Sequence, residues 1–225
     1  LFNGVAEKNR RQNERLPIDM SAYPLVSVIM PAYNAELHIE DALESIFCQD
    51  YPAIEIIVAN DGSQDNTLEI LKKYEDRIHI IDKKNEGSAT ARNAAIRAAG
   101  GKYLAFLDSD DVWLPGKLTA QIRYMEENPS IGVTYGLFDN YFETPDNRLS
   151  IQKIKDEYDN TNPEYEIKPI EWWSGWLYRK MLFESLPHTI TVVMKKALVD
   201  TVGYFDTQLR RGQDYDYWIL SLIHI

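Results

Sequence analysis

The sequence predicts an α/β fold, built on an open, mostly parallel, twisted β-sheet with helices on both faces. Strand-like and helix-like segments alternate from residue 25 to about residue 130. The strand-like segments are almost continuously apolar, as in residues 25–30 (LVSVIM), which is typical of strands covered on both faces. Because helical segments separate successive strands, parallel pairing with right-handed crossovers is the expected arrangement.

The first two strand–helix units have the clearest periodicity. Strands are predicted at residues 25–30 and 54–59. The helix between them has apolar residues at positions i, i+3, i+4, i+7 and i+8 counted from Ile39, which places them on one face. The helix after the second strand is expected to be capped by Ser63 or Asp65.

The third and fourth strands are predicted at residues 78–81 and 103–107. The alanine-rich helix 88–99 lies between them, and Gly100-Gly101 is expected to close it as a C-cap. Pro115 is expected to begin the next helix. The apolar face of that helix comprises Leu118, Ile122 and Met125.

The remainder of the chain is less regular. Residues 143–168 are polar and predict a surface excursion, residues 189–194 predict a strand, and residues 213–219 predict a helix. Residues 1–22 read as a leader or linker and residues 23–219 as the domain. Residues 220–225 (LSLIHI) are expected to be a non-native tail, because their codons can be written as a sequencing-adapter end. The domain would then be truncated, and a missing continuation could carry a membrane anchor and so a peripheral membrane association.

Composition excludes several classes of function. The formal net charge is −11, and no basic face of the kind that nucleic-acid binding requires is visible. The one cysteine, Cys48, can form no internal disulfide. No apolar run approaches the ~20 residues that cross a bilayer. The glycine pattern of nicotinamide-binding folds is absent, so no such cofactor is expected.

Polar clusters follow three of the predicted strands. Ligands of open α/β sheets bind beyond the carboxyl ends of the strands, which is where these clusters fall. The third cluster has three carboxylates within four residues, Asp108, Asp110 and Asp111, whose mutual repulsion a cation would relieve. Oxygen ligands favour Mg²⁺ or Mn²⁺ over zinc. The alternative is a solvated acidic turn that caps the next helix.

Three other residues are candidates with plainer alternatives. Asp61 could accept a hydrogen bond from a base, or could simply form a turn with Gly62. Arg92, one turn into its helix, could reach a base or phosphate, or form an exposed salt bridge. Asp214, at a helix start, is by itself most typical of a helix cap.

Taken together, these motifs resemble the family-two glycosyltransferases, which have the GT-A fold. The resemblance covers roughly residues 25–219 and is strongest over 25–130. It rests on residues 28–34 (VIMPAYN), 58–63 (VANDGS), 92–93 (RN), 106–111 (FLDSDD) and 213–216 (QDYD). The order and spacing of these motifs make it specific. It implies a Rossmann-like N-terminal half and a less regular acceptor-side half.

The resemblance also implies roles for individual residues. Asp61 and Arg92 would hold the base, most often uracil. Asp108 would approach the ribose or the metal, Asp110 would ligate a Mn²⁺ or Mg²⁺ ion on the donor diphosphate, and Asp214 would be the catalytic base, although Gln213 stands where the family usually has Glu. The remaining donor-binding positions are Pro31, Ala32, Tyr33, Asn34, Glu36 and Ser109.

The implied activity is transfer of a sugar from a nucleoside-diphosphate sugar, most often a UDP-sugar, to an acceptor hydroxyl with inversion. Cell-surface polysaccharide or glycolipid assembly on the cytoplasmic face, with a saccharide or lipid-linked acceptor, is the expected setting. Trp172, Trp173 and Trp176 could stack on sugars or form core. His188 is expected to be a surface or packing residue rather than a metal ligand.

Two alternatives remain open at this point. Residues 104–112 also fit the first motif of haloacid-dehalogenase-like phosphatases, in which Asp108 would be the nucleophile. That motif usually lies on the first strand of its domain, whereas here three strand–helix units precede it. The second alternative is a non-catalytic module that binds a nucleotide sugar.

Overall fold

The computed structural model describes residues 23–138, 140 and 187–223, with no side-chain detail for 222 and 223. The predicted leader 1–22, the excursion 143–168 and the three clustered tryptophans lie outside the described residues. Within them, one six-stranded sheet has the order β3-β2-β1-β4-β6-β5. Its strands are β1 (Val26–Ala32), β2 (Ile54–Asp61), β3 (His79–Lys83), β4 (Tyr103–Phe106), β5 (Val133–Thr134) and β6 (Val193–Lys195).

The first four strands are parallel, and the last two depart from that pattern. Strand β1 lies between β2 and β4, with Ile29 opposite both Ile57 and Phe106. Strand β6 runs antiparallel to β4, with Met194 opposite Leu104, and β5 is antiparallel to β6. The predicted open and mostly parallel sheet is therefore confirmed.

Helices cover both faces of the sheet. They are α1 (Ile39–Phe47), α2 (Thr67–Lys72), α3 (Ser88–Ala98), α4 (Lys117–Glu127), α5 (Val199–Val202) and α6 (Gln213–Ile223). Val28 and Met30 pack with α1 and α4 in one apolar cluster, whereas Ile29 packs with α3 and α6 in a second. This division follows from the period of two residues along β1, where successive side chains point to opposite faces.

The predicted glycine C-cap of α3 is wrong. Helix α3 ends at Ala98, and Ala99 is extended, with φ −63° and ψ 129°. Gly100 and Gly101 are not among the residues of positive φ that a left-handed cap requires. Gly101 serves a different purpose: a β-carbon there would lie 2.6 Å from Ser27 Oγ and 2.7 Å from the Leu25 carbonyl oxygen. Because Gly101 has no side chain, the segment that leads into β4 can pass close to the start of β1.

Three other predicted boundaries shift. Helix α4 begins at Lys117 rather than Pro115, because Gly116 precedes it in a left-handed conformation with φ 80°. Residues Thr189–Thr191 form a 3₁₀ turn, so the late strand is only Val193–Lys195. Helix α6 continues to Ile223, four residues beyond the predicted end. No helix within the described part of the chain is long and apolar enough to span a membrane.

Candidate functional site

A cleft at the carboxyl edge of the sheet brings together residues that are far apart in sequence. Its wall is acidic on the side formed by the loop after β4 and by the start of α6. The other side has both apolar and polar residues, which come from the segment that leads into β6 and from the segment that follows β5. The lining residues are Asp108, Asp111, Phe138, Asn140, His188, Thr189, Ile190 and Asp214.

The acidic loop directly after β4 presents its carboxylates in different environments. Asp108 is partly buried and accepts a hydrogen bond from Arg92 Nη2 at 2.5 Å. Ser109 is buried, and Asp110 is exposed. The backbone N–H of Asp111 donates to the Asp108 carbonyl oxygen at 3.2 Å, which closes the loop as a turn. The Asp110 side chain is therefore exposed to solvent, whereas the Asp108 carboxylate is paired with the Arg92 guanidinium.

Asp111 is a partly buried carboxylate beside two others. Burial raises its pKa to about 6, and the nearby charges of Asp110 and Asp108 add to the effect. A carboxylate whose pKa is raised by neighbouring carboxylates is stabilised in its charged form by a cation. The loop therefore has the electrostatics of a cation-binding site.

Asp214 lies in the first turn of α6 and faces the cleft that Asp108 also lines. The preceding residue, Gln213, donates from Nε2 to Ser88 Oγ at 2.8 Å, and Ser88 is the first residue of α3. The Gln213 Oε1 atom is buried without a hydrogen-bond partner. The cap interpretation of Asp214 is thus incomplete, because the side chain also faces a cleft with two other carboxylates.

Asp61 is the last residue of β2 and is only 2% exposed. Its carboxylate accepts from Lys83 Nζ at 2.6 Å and from the backbone N–H groups of Glu86 and Gly87 at 3.0 and 2.8 Å. Burial opposes the charge of Lys83, but the Asp61 and Glu86 carboxylates hold the pKa of that amine above its ordinary range. Asp61 thereby fixes the loop between β3 and α3.

Gly62 allows this loop to approach. Its φ is +69°, and a β-carbon there would lie 2.7 Å from the backbone nitrogen of Asn85. A side chain at this position would therefore push the β3–α3 loop away from Asp61.

The loop after β1 interlocks with the loop after β2. Asn34 has a left-handed backbone with φ 49°, and its Oδ1 accepts from the Gln64 N–H at 2.8 Å. Glu36 Oε2 accepts from Asn66 N and Nδ2 at 3.0 and 2.8 Å. The N-cap of α2 is Asn66, which makes no side-chain cap hydrogen bond, so the predicted cap at Ser63 or Asp65 is wrong. Asp65 Oδ1 instead accepts from the Thr67 N–H at 3.0 Å in the turn before the helix. These contacts make the two loops one rigid rim.

Pro31 and Ala32 are buried at the end of β1, whereas the Tyr33 side chain is 47% exposed at the rim. None of these residues lines the cleft that contains Asp214. The carboxyl edge of the sheet therefore has two adjacent parts. One is a rim formed by residues 31–36 and 61–66, and the other is the acidic cleft. Arg92 lies behind the acidic cleft, where it bonds to Asp108.

The profile described as Glycosyl transferase family 2 matches residues 27–186. The chain belongs to this family. A glycosyltransferase of uncharacterised role, RP339 of Rickettsia prowazekii, is 34% identical over 204 residues, which are 87% of this chain and 58% of the relative. The Escherichia coli protein WfgD, named UDP-Glc:alpha-D-GlcNAc-diphosphoundecaprenol beta-1,3-glucosyltransferase, is 42% identical over 117 residues, 51% of this chain and 46% of the relative.

Solved structures of glycosyltransferases share the fold. S. aureus TarS 1–349 in complex with UDP-GlcNAc has a TM-score of 0.64 at 22% identity and covers 89% of this chain and 54% of its own. The mannosyltransferase PcManGT of Pyrobaculum calidifontis, in complex with GDP-Man and Mn²⁺, has a TM-score of 0.61 at 23% identity and covers 86% and 50%. The predicted GT-A-like architecture is confirmed, and the chain spans between about half and three-fifths of these proteins. Membership of the glycosyltransferase family also selects against the phosphatase interpretation of Asp108.

The oxygen donors of the acidic loop fit a hard divalent cation. Among the described residues, no group of three or more His, Cys, Asp or Glu side chains is arranged to hold a metal. Mg²⁺ is commonly held by one or two carboxylates plus substrate phosphates rather than by a protein cage. An exposed Asp110 beside Asp108, with the pKa of Asp111 raised by burial and then by these two neighbours, fits that mode.

Sequence reasoning missed part of the cleft. His188 was expected at the surface; it is exposed, but it lines the cleft and its ring lies 3.7 Å from that of Phe138. Because β6 is antiparallel to β4, the residues that precede β6 reach the same edge as the residues that follow β4. Recognition that the late strand is antiparallel would have placed His188 and Thr189 beside Asp108.

Proposed function

We propose that this protein transfers a sugar from a nucleoside-diphosphate sugar, with UDP as the preferred nucleotide, to a hydroxyl of a saccharide or lipid-linked acceptor, with inversion at the anomeric carbon. The observation that carries the proposal is the single cleft in which Asp214 faces the acidic loop Asp108–Asp111. The setting is assembly of cell-surface polysaccharide or glycolipid on the cytoplasmic face. The name of the E. coli relative, with UDP-Glc and a lipid diphosphate acceptor, supports this substrate class.

The rim holds the nucleoside in this proposal. Asp61 and Arg92 recognise the base, and Pro31, Ala32, Tyr33, Asn34 and Glu36 form the wall. The rigid contacts between the first two loops support a preformed pocket, since Asn34 and Glu36 both bind backbone groups of the second loop. Ser109 and Asp108 lie at the junction with the acidic cleft. The UDP-GlcNAc complex of TarS supports a uridine nucleotide in a fold of this type.

A Mn²⁺ or Mg²⁺ ion is the proposed cofactor, held by Asp110 and also by Asp108. When bound, such an ion neutralises charge that develops on the departing diphosphate. The complex of PcManGT with Mn²⁺ supports the use of a divalent cation in this fold. The chain's own part is to keep Asp108 in place through Arg92 and to leave Asp110 accessible.

Asp214 is the proposed base. Its carboxylate removes the proton of the acceptor hydroxyl as that oxygen forms its bond to the anomeric carbon. The bond from this carbon to the diphosphate oxygen breaks with its electron pair, and the nucleoside diphosphate leaves. One displacement of this kind inverts the configuration, and Asp214 keeps the proton until solvent takes it.

The decisive experiment compares Asp214→Asn with Asp216→Asn. Both residues lie in the first turn of α6, but only Asp214 lines the cleft. Asp214→Asn should reduce transfer by about 10³-fold or more, while calorimetry with UDP and Mn²⁺ shows donor-site binding within about threefold of the parent. Asp216→Asn should retain transfer. Near-parental transfer by Asp214→Asn would place the base elsewhere.

A panel of sugar nucleotides tests the donor and the metal. Thermal shift with each donor should show one preferred nucleotide, and the shift should require Mn²⁺ or Mg²⁺. Asp110→Ala should lose the metal-dependent part of the shift. Binding of a donor that is never turned over by the full-length protein would favour the non-catalytic module instead.

A further inference from the structure

Asn93 joins two parts of the chain that are 112 residues apart. Its Nδ2 donates to the Phe205 carbonyl oxygen at 2.8 Å, and its Oδ1 accepts from the Phe205 N–H at 2.9 Å. Both residues are 2% exposed. One side-chain amide thus satisfies both backbone groups of a buried loop residue that no strand pairs, as buried polar groups require.

This contact continues into helix α6. The Phe205 ring stacks on that of Tyr217 at 4.1 Å with an interplanar angle of 13°, and it meets Trp218 edge-on at 5.9 Å. Tyr217 and Trp218 follow Asp214 by three and four residues, so they lie one turn behind it on the same helix. The position of Phe205 therefore sets the position of the turn that bears Asp214.

The neighbouring residue of α3 holds the opposite wall of the cleft. Arg92 donates to Asp108, and its guanidinium carbon lies 5.8 Å from the centre of the Phe205 ring. Ser88, at the start of the same helix, accepts the bond from Gln213. Helix α3 is thus attached both to the acidic loop and, at two points, to the segment that carries Asp214.

We propose that Asn93 is a positioning residue: through Phe205 it fixes the helix that bears Asp214 opposite the acidic loop. The assignment of Asp214 as base rests on the proposed function, but the mechanical role of Asn93 does not. Asparagine suits this role because it combines a donor and an acceptor on one planar group, which neither aspartate in its charged form nor alanine provides.

Hydrogen exchange tests the mechanical role without reference to activity. Asn93→Ala removes both bonds to Phe205. The matched control is Ser27→Ala, because Ser27 is equally buried and binds Gly101 N at 2.9 Å and Glu55 at the opposite edge of the sheet. In Asn93→Ala the amides of residues 203–217 should exchange about tenfold faster, whereas in Ser27→Ala they should keep parental rates. Equal protection of this segment in both variants would overturn the proposal.

Kinetics of the full-length protein test the consequence. Well below the melting temperature of each variant, Asn93→Ala should lower kcat about 30-fold, with KM for the donor within about threefold, because a small displacement of a reacting group is costly. Ser27→Ala should lower the melting temperature alone. If Asn93→Ala does not fold, Ser88→Ala removes the exposed attachment to Gln213 and should lower kcat about threefold. Parental kcat in the Asn93 and Ser88 variants would contradict the positioning role.

The two proposals fail in different ways. If Asp214→Asn transfers normally while Asn93→Ala loosens residues 203–217, the base assignment is wrong and the attachment stands. If Asp214→Asn is inactive while Asn93→Ala keeps parental kcat and exchange, the base assignment stands and the attachment has no positioning role.

Discussion

The amino edge of the sheet and the acidic loop at its carboxyl edge are built in opposite ways. At the amino edge, polar groups satisfy one another: Glu55 Oε1 accepts from the N–H groups of Gly100 and Gly101 at 2.6 and 2.9 Å, and Ser27 Oγ donates to the same carboxylate. At the carboxyl edge, like charges are crowded at Asp108–Asp111. Within the described residues, the buried side-chain atoms that lack a partner are Arg92 Nε, Lys117 Nζ, Gln121 Oε1 and Gln213 Oε1.

This difference separates stability from function. A buried donor or acceptor without a partner costs about 1–3 kcal/mol, and clustered carboxylates repel one another. Such costs are typical of sites that bind or react, because activity there trades against stability. Substitution at the amino edge should therefore lower stability alone. Substitution at the carboxyl edge should change donor affinity and rate at the positions that bind or react, and should raise stability where it removes an unpaired buried charge.

The largest expected effect is a loss of stability at the amino edge. In Gly101→Ala the new β-carbon would lie 2.6 Å from Ser27 Oγ, 2.7 Å from Leu25 O and 2.8 Å from Ser27 N. Two of these atoms, Leu25 O and Ser27 N, belong to the backbone at the start of β1, so they cannot shift without moving the strand. The free energy of unfolding should therefore fall by about 3 kcal/mol. Urea denaturation measures this loss, and the kcat of the folded fraction should remain parental.

Gly100→Ala is the matched control for Gly101→Ala. Its β-carbon would lie 3.4 Å from Glu55 Oε1, an ordinary distance, and Gly100 does not have a positive φ. Its stability should change by less than about 1 kcal/mol and could rise, since alanine restricts the unfolded chain. Equal losses in the two variants would mean that glycine flexibility, and not close approach, is the requirement at position 101.

The sequence predicted the fold well where local pattern determines it. The buried strands β1 and β2 and the helix faces at Ile39 and Leu118 follow directly from periodicity. The role of Gly101 did not follow, because it depends on the close approach of Gly101 to Ser27, which is 74 residues earlier in the chain. A glycine after a helix is consistent with both a cap and a close approach, and sequence alone favoured the cap.

The sequence predicted which residues belong to the site, but it did not predict which of them contact one another. The acidic loop and Asp214 were recognised as residue types, and the structure brings both into one cleft. The partner of Asp108, Arg92, was assigned to a base by resemblance, and the role of His188 depended on the direction of β6. Such contacts arise from tertiary geometry between separate elements and leave no periodic signal in the chain.

The second expected effect concerns the carboxyl edge. Arg92→Met leaves Asp108 without its buried partner, which should lower the free energy of unfolding by about 2 kcal/mol. Because Arg92 is proposed both to recognise the base and to hold Asp108, donor affinity should fall without Mn²⁺ and should fall further with it. Calorimetry with UDP, in the presence and absence of the ion, measures the two affinities.

Arg97→Met is the control for Arg92→Met. Arg97 lies on the same helix, is exposed, and has its guanidinium carbon 4.3 Å from the centre of the Tyr204 ring. Its donor affinity should remain parental. If Arg92→Met lowers donor affinity equally with and without Mn²⁺, Arg92 acts only by contact with the nucleotide, and its role through Asp108 is wrong.

The smallest expected effect concerns Lys117, the first residue of α4, just beyond the acidic loop. Its ammonium lies 4.2 Å from the centre of the Trp113 ring and has no hydrogen-bond partner. Burial lowers the pKa of this amine from 10.5 to about 7. In the unfolded chain the amine stays protonated up to its ordinary pKa, so between about pH 7 and pH 10 the unfolded state binds more protons and the contribution of Lys117 to stability rises with pH.

Lys117→Met should remove that rise and increase stability at pH 6 by about 1 kcal/mol, because methionine fills similar space without a buried charge and the lost contact with Trp113 offsets part of the gain. Melting temperatures at pH 6 and pH 9 measure both effects. Lys72→Met is the control, since Lys72 is exposed and pairs with Glu69 at 2.7 Å. A loss of stability at pH 6 in Lys117→Met would show that favourable contacts of the Lys117 ammonium outweigh the cost of its burial. Lys117 would then not be one of the unfavourable buried groups of the carboxyl edge.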